Sequence, residues 1–146
     1  VERIMLSLFV MAFASATLLP GGSELWLAGL WCRGEAPLAL WLVATLGNTL
    51  GSLVNVALGR YATQYVDRRW FPASRAGLAR AQRWYRKGGE ASLLLAWLPV
   101  VGDPLTVLAG IARLPWWRAT LWIVVSKGGR YALVLWLADS YFSCGA

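Results

Sequence analysis

The chain has 146 residues, of which 58% are hydrophobic and only 14% charged, against roughly 25% charged in an average soluble domain. A mean hydropathy of +0.53 and ten tryptophans are more apolar surface than a small soluble domain can hide, so one integral membrane domain over 1–146 is expected. The net charge of +7 is carried mostly between Arg60 and Glu90, eight cations against two anions between two apolar halves, which is the pattern of a cytoplasmic connector and argues against a nucleic-acid partner.

In chain order, Ile4 to Ser23 is uncharged. It resembles a secretory signal, with Glu2 and Arg3 before it and Ala14-Ser15-Ala16 as a cleavage-like site. The apolar pattern resumes at Leu25 after LLPGGSE, so the segment is expected to belong to the fold, with a break at Pro20, Gly21 and Gly22 and an acid, Glu24, just beyond it. Ala36 to Gly59 carries no charge either and is long enough to cross a bilayer core of about 30 Å. Within it Gly47, Gly51, Asn55 and Gly59 recur every fourth residue, a stripe of small or polar side chains against which another helix should pack, from the same chain or from a second copy in a homo-oligomer. Asn48 and Asn55 read as hydrogen-bonding residues between helices.

The basic loop 60–90 contains AGLARAQRWYRKGG, in which Leu78, Ala81, Trp84 and Tyr85 alternate with Arg80, Arg83, Arg86 and Lys87 at helical spacing. Such a helix lies along the cytoplasmic interface, where it sets orientation or captures anionic headgroups. Ala91 to Ala112 is apolar but interrupted at Pro99, Gly102, Asp103 and Pro104. A straight helix is not expected there, and broken backbone in a membrane is tolerated only against protein or a wet cavity. Ala119 to Asp139 is the last spanning candidate, with Lys127 and Arg130 inside it. Each would cost roughly 2.5 to 3.5 kcal/mol at a helix centre, so both should face the protein interior, toward anions or water.

At an offset of 81 the chain matches itself twice: Leu27-Ala28-Gly29-Leu30 with Leu108-Ala109-Gly110-Ile111, and LWLVATLGN with LWIVVSKGG. Each half then reads as apolar arm, Pro/Gly break with an acid, second arm, short turn and spanning helix. The fold class expected is an all-α integral membrane protein, an inverted repeat of two re-entrant helical hairpins each followed by a transmembrane helix. Repeat 1 covers about 1–59, the connector 60–90 and repeat 2 about 91–140. In this arrangement both termini lie outside; if residues 4–19 span fully, the N-terminus is inside.

No histidine is present, which removes imidazole general bases and histidine metal sites. Cys32 and Cys144 lack the spacing of a thiolate cluster and are expected to be free thiols, with a disulfide as the less favoured alternative. No cofactor, metal or catalytic residue is implied, and an enzyme is the least favoured class. Glu24 and Asp103 fall at equivalent breaks, and Lys127 and Arg130 are the cations deep in a spanning segment. If the four converge, they are either a buried charge network that fixes the packing of two hairpins, or a site. In the second case the cations and half-helix N-termini hold a phosphate or carboxylate while a carboxylate takes up and releases a proton.

The runs SATLLPGGSE, TLGNTLGSLVNVALGR, LAWLPVVGDPLTVLAG and SKGGRY closely resemble the YqaA branch of the DedA family of bacterial inner-membrane proteins, which shares a domain with eukaryotic lipid scramblases. The resemblance covers nearly the whole chain. It implies a re-entrant-hairpin fold in the inner membrane and transbilayer movement of lipids such as polyprenyl phosphate carriers or anionic phospholipid, linked to protons. Glu24 takes the place of the family's acid at the first hairpin, and Gly29, Gly59 and Gly110 match its glycines. At the second hairpin, where the wider pattern has two arginines around the proline, this chain has Ala96 and Gly102, with Asp103 beside the latter. A proton-coupled exporter of small solutes and a structural or assembly factor remain as alternatives.

Overall fold

The structure is a computed structural model that describes residues 2–17, 22–69, 71, 73–97 and 102–142. Its helices are α1 (Glu2–Thr17), α2 (Gly22–Cys32), α3 (Pro37–Tyr61), α4 (Arg75–Gly88), α5 (Gly102–Ile111) and α6 (Trp116–Phe142), with 3₁₀ segments at Thr63–Tyr65 and Gly89–Trp97. There is no strand among the described residues. Within α3 and α6, the stretches Pro37–Tyr61 and Trp116–Tyr141 are long and apolar enough to cross a membrane.

α3 is apolar on the outside and polar within. Leu38, Leu42, Leu46, Leu50 and Val54, every fourth residue, form an exposed aliphatic stripe, whereas Thr45, Asn48, Thr49, Ser52 and Asn55 are buried on the opposite side. A water-soluble helix has the reverse arrangement; this one suits a surface bathed in lipid chains. Outside, α6 presents Leu121, Val125, Leu133 and Trp136 in the same way.

One core cluster joins Leu8 and Ala12 of α1, Leu27 and Leu30 of α2, Leu40 and Ala44 of α3, and Tyr131 and Leu135 of α6. α1 is therefore built into the fold, as its resumed apolar pattern suggested. A second cluster sets Ala81 of α4 against Leu93, Leu105, Leu108 and Ala109. The glycine stripe of α3 is shared between two helices of the same chain. A Cβ on Gly47 would sit 2.6 Å from the carbonyl oxygen of Phe9 in α1, and one on Gly59 would overlap the carbonyl of Val107 in α5.

The turns that precede the two long helices have the same construction. Gly34 (φ 100°) and Arg113 (φ 56°) both adopt the left-handed conformation. The next residue's N–H then reaches back, Glu35 to the Leu30 carbonyl and Leu114 to the Ala109 carbonyl, 3.2 and 3.1 Å. These are the backbone closures that end a helix when the chain reverses. Both turns span four residues, 33–36 and 112–115, but the second begins two positions earlier relative to the flanking sequence matches, so α6 gains Trp116 and Trp117 at its start, 27 residues against 25 in α3.

The connector helix α4 is capped by Ser74, whose Oγ accepts the Gly77 N–H at 3.0 Å, and stops at Gly89 with φ 60°. It is amphipathic as expected: Ala81 is buried, while Arg80, Arg83, Arg86 and Lys87 are exposed. Cys32, the last residue of α2, is disulfide-bonded, which corrects the expectation of a free thiol. Separation along the sequence carries no information about cysteine pairing once helices fold back on one another; Cys144 lies outside the described residues.

Candidate functional site

Pro20, Gly21 and Pro99 fall outside the described residues, and the Glu24 side chain outside the described atoms. The second half of each predicted break is visible: Gly22 begins α2 and Gly102 begins α5. Asp103 and Pro104 thus occupy the first turn of α5, where Pro lacks no donor that the helix needs. Thr106 Oγ1 donates to the Asp103 carbonyl at 2.7 Å.

Three of the four candidate site residues come together around α5 and α6. The Asn55 amide of α3 donates to Asp103 Oδ1 at 3.5 Å, and the charges of Lys127 and Arg130 both act on the Asp103 carboxyl. Asn55, part of the packing stripe of α3, is thereby a partner of the acid as well. Lys127 is 3% exposed and donates from Nζ to the Ala96 carbonyl at 3.1 Å. Its neighbour Ser126 donates to the Leu94 carbonyl at 2.8 Å. Both carbonyls lie in the last turns of the Gly89–Trp97 segment, where backbone acceptors run out of helical donors and the partial negative charge favours a cation.

Arg130, one turn from Lys127, is half-buried and lines a cleft of about 240 Å³ with Leu94, Val125, Ser126, Gly129 and Leu133. Val125 is 57% and Leu133 47% exposed, so the cleft opens on the outer apolar surface of α6. A guanidinium near the middle of a spanning helix, in a cleft walled by aliphatic side chains, can hold an anionic group whose tails stay among lipids.

Several residues of this region were not singled out from sequence. The hydroxyls of Thr45, Thr49 and Ser52 are buried beside Asn48 and Asn55. Their helical spacing in a charge-free segment was a legible signal. Trp41 Nε1 donates to the Gly128 carbonyl at 2.8 Å and ties α3 to α6 just below Lys127. Glu90 pairs with Arg118, and Arg60 lies over the Trp116 ring, 5.5 Å from its centroid. These two contacts fasten the connector to the start of α6. Among the described residues no group of histidines, cysteines and acids could hold a metal ion.

The sequence model of the VTT domain matches residues 5–140. The chain is 42% identical over 129 residues to the inner membrane protein YqaA of Escherichia coli (strain K12), covering 88% of this chain and 86% of that protein. The protein of the same name in Shigella flexneri matches to the same extent. An uncharacterized protein of Haemophilus influenzae is 38% identical over 146 residues, 92% of this chain and 87% of the relative. No solved structure matches the chain.

Proposed function

The chain belongs to the VTT domain family, the DedA family, and from that premise we propose that it is a multi-pass inner-membrane transporter that moves a lipid or lipid-phosphate carrier across the bilayer, coupled to protons. The observation that carries this reading is the Arg130 cleft, a cation in mid-helix open to the lipid-facing surface. In this reading Arg130 holds the phosphate in the cleft, with the charge of Lys127 one turn away assisting it, and Asp103 takes up and releases the proton, with Glu24 as the second acid. An enclosed cavity would suit a small solute better.

The two halves act in this reading as an inverted pair of re-entrant hairpins, each followed by a spanning helix. The recurring order of arm, break, arm, matched turn and long helix supports it. The connector faces the cytoplasm because it carries most of the positive charge. The disulfide at Cys32 lies at the other end of α3, roughly 37 Å away along a helix of that length, and a disulfide suits the oxidising periplasmic side.

The test is transbilayer movement of polyprenyl phosphate and of ordinary phospholipid in proteoliposomes, with and without a pH gradient. Movement above that of protein-free vesicles supports the reading. None for either lipid, with export of small solutes instead, replaces it.

A further inference from the structure

Five polar side chains share the inner face of α3: Thr45, Asn48, Thr49, Ser52 and Asn55, none more than 4% exposed. At a rise of 1.5 Å per residue they form one strip about 15 Å long. Two have visible work, since Asn48 Nδ2 donates to the Ala12 carbonyl at 2.9 Å and Asn55 donates to Asp103. The hydroxyl oxygens of Thr45, Thr49 and Ser52 have no hydrogen-bond partner among the described residues.

A buried hydroxyl left without a partner is destabilising, and Val or Ala would pack in the same places without that cost. Buried polar groups that find no protein partner are satisfied by water, and a strip of them can hold a row of it. No charged side chain of α3 faces the strip between Pro37 and Gly59, and α1 contributes none from Ile4 to Ala14. Among the described residues the charged group beside the strip is Asp103, next to Asn55, on which the charges of Lys127 and Arg130 of α6 act.

The two ends of the strip differ. At the Asn55 end Asp103 is followed by Pro104, which lies against α4: a Cβ on Gly77 would be 3.2 Å from Pro104 Cγ. At the other end Thr45 Cγ2 comes within 3.7 Å of the Cβ position of Gly128, beside the Trp41 to Gly128 hydrogen bond. The strip therefore leads from the acid on the connector side toward the opposite half of the fold.

We propose that water held by Thr45, Thr49 and Ser52, together with Asn55, forms a proton relay along α3 that loads and unloads Asp103. A proton entering at one end bonds to a water or hydroxyl oxygen, which releases its own proton to the next oxygen. Every O–H broken is matched by one formed, each hydroxyl returns to its neutral state, and the net change is one proton gained or lost by the Asp103 carboxylate. The relay rests on the reading of Asp103 as the transporter's proton acceptor.

The experiment is proton flux into proteoliposomes that trap a pH-sensitive dye, after an imposed pH step with potassium and valinomycin compensating charge. Native protein should conduct above protein-free vesicles, and the shape-preserving triple variant Thr45→Val/Thr49→Val/Ser52→Ala should conduct at least tenfold less. Thr45→Ser/Thr49→Ser, which keeps the hydroxyls, should stay within twofold of native. The thermal midpoint of each variant in detergent shows that it is folded; should the triple fail to fold, the single variants Ser52→Ala and Thr49→Val decide, with at least a threefold fall expected. Native flux equal to that of empty vesicles, or undiminished flux in folded variants, overturns the relay. Lipid movement in the same vesicles without a gradient reads the transport proposal separately: hydroxyl-dependent proton flux with no lipid movement removes the lipid substrate and leaves the relay standing.

Discussion

Gly59 of α3 and Gly110 of α5 cross backbone to backbone: a Cβ on Gly59 would overlap the Val107 carbonyl, and a Cβ on Gly110 the Val56 carbonyl. Neither obstacle is a side chain that could turn aside. This contact holds the arm that carries Asp103 against the helix that carries Asn55, so it fixes the site as well as the packing.

Gly59→Ala and Gly110→Ala should each destabilise the protein by about 1 to 3 kcal/mol, the usual range for overpacking. Gly29→Ala is the control, because a Cβ there meets nothing within 4 Å. Thermal unfolding in detergent checks all three. Equal midpoints would show that the crossing is looser than its geometry implies.

Lys127 and Asp103 should behave as a coupled pair. Removing one charge from a buried, mutually compensated group costs about 3 to 5 kcal/mol, whereas removing both leaves nothing uncompensated. Lys127→Met alone should therefore destabilise more than Lys127→Met combined with Asp103→Asn, and the coupling in a double-mutant cycle should exceed about 0.5 kcal/mol. Ser126→Ala, which loses one bond to the Leu94 carbonyl, should cost about 0.6 to 1.7 kcal/mol.

On the connector, Arg75 donates to Asp67 at 2.9 and 3.0 Å. That hydrogen bond and the guanidinium charge hold the Asp67 carboxyl below its ordinary value of 3.8. A carboxylate with a lowered folded-state value contributes stability that is complete above 3.8 and disappears as pH falls through the depressed value. Both groups are exposed, so the contribution is small and screened by salt. A carboxyl NMR titration should find Asp67 titrating lower in the native protein than in Arg75→Gln. Identical curves would contradict the pairing.

Much of this architecture was legible because charge is expensive in a bilayer. The uncharged run ending at Gly59 located α3, the interruption around Gly102 located the start of α5, and two cations in an apolar run marked Lys127 and Arg130. The periodicity of Gly47, Gly51, Asn55 and Gly59 predicted a close approach. It gave no hint that Gly47 serves α1 and Gly59 serves α5, because the crossing point of two helices depends on packing outside the segment. The Glu90 pair with Arg118 and the bond from Trp41 to the Gly128 carbonyl were hidden for the same reason, as was the disulfide at Cys32. The three unpartnered hydroxyls of α3 could be located by spacing, yet their lack of partners is a property of the fold.

The most direct measurement of the central claim is the rate of polyprenyl phosphate movement across proteoliposome membranes for the native chain, Arg130→Lys and Arg130→Ala, each shown to be folded. The account predicts movement by the native protein, reduced but measurable movement with lysine, which keeps the charge but not the bidentate geometry, and a loss of at least tenfold with alanine. Undiminished movement in folded Arg130→Ala would contradict it.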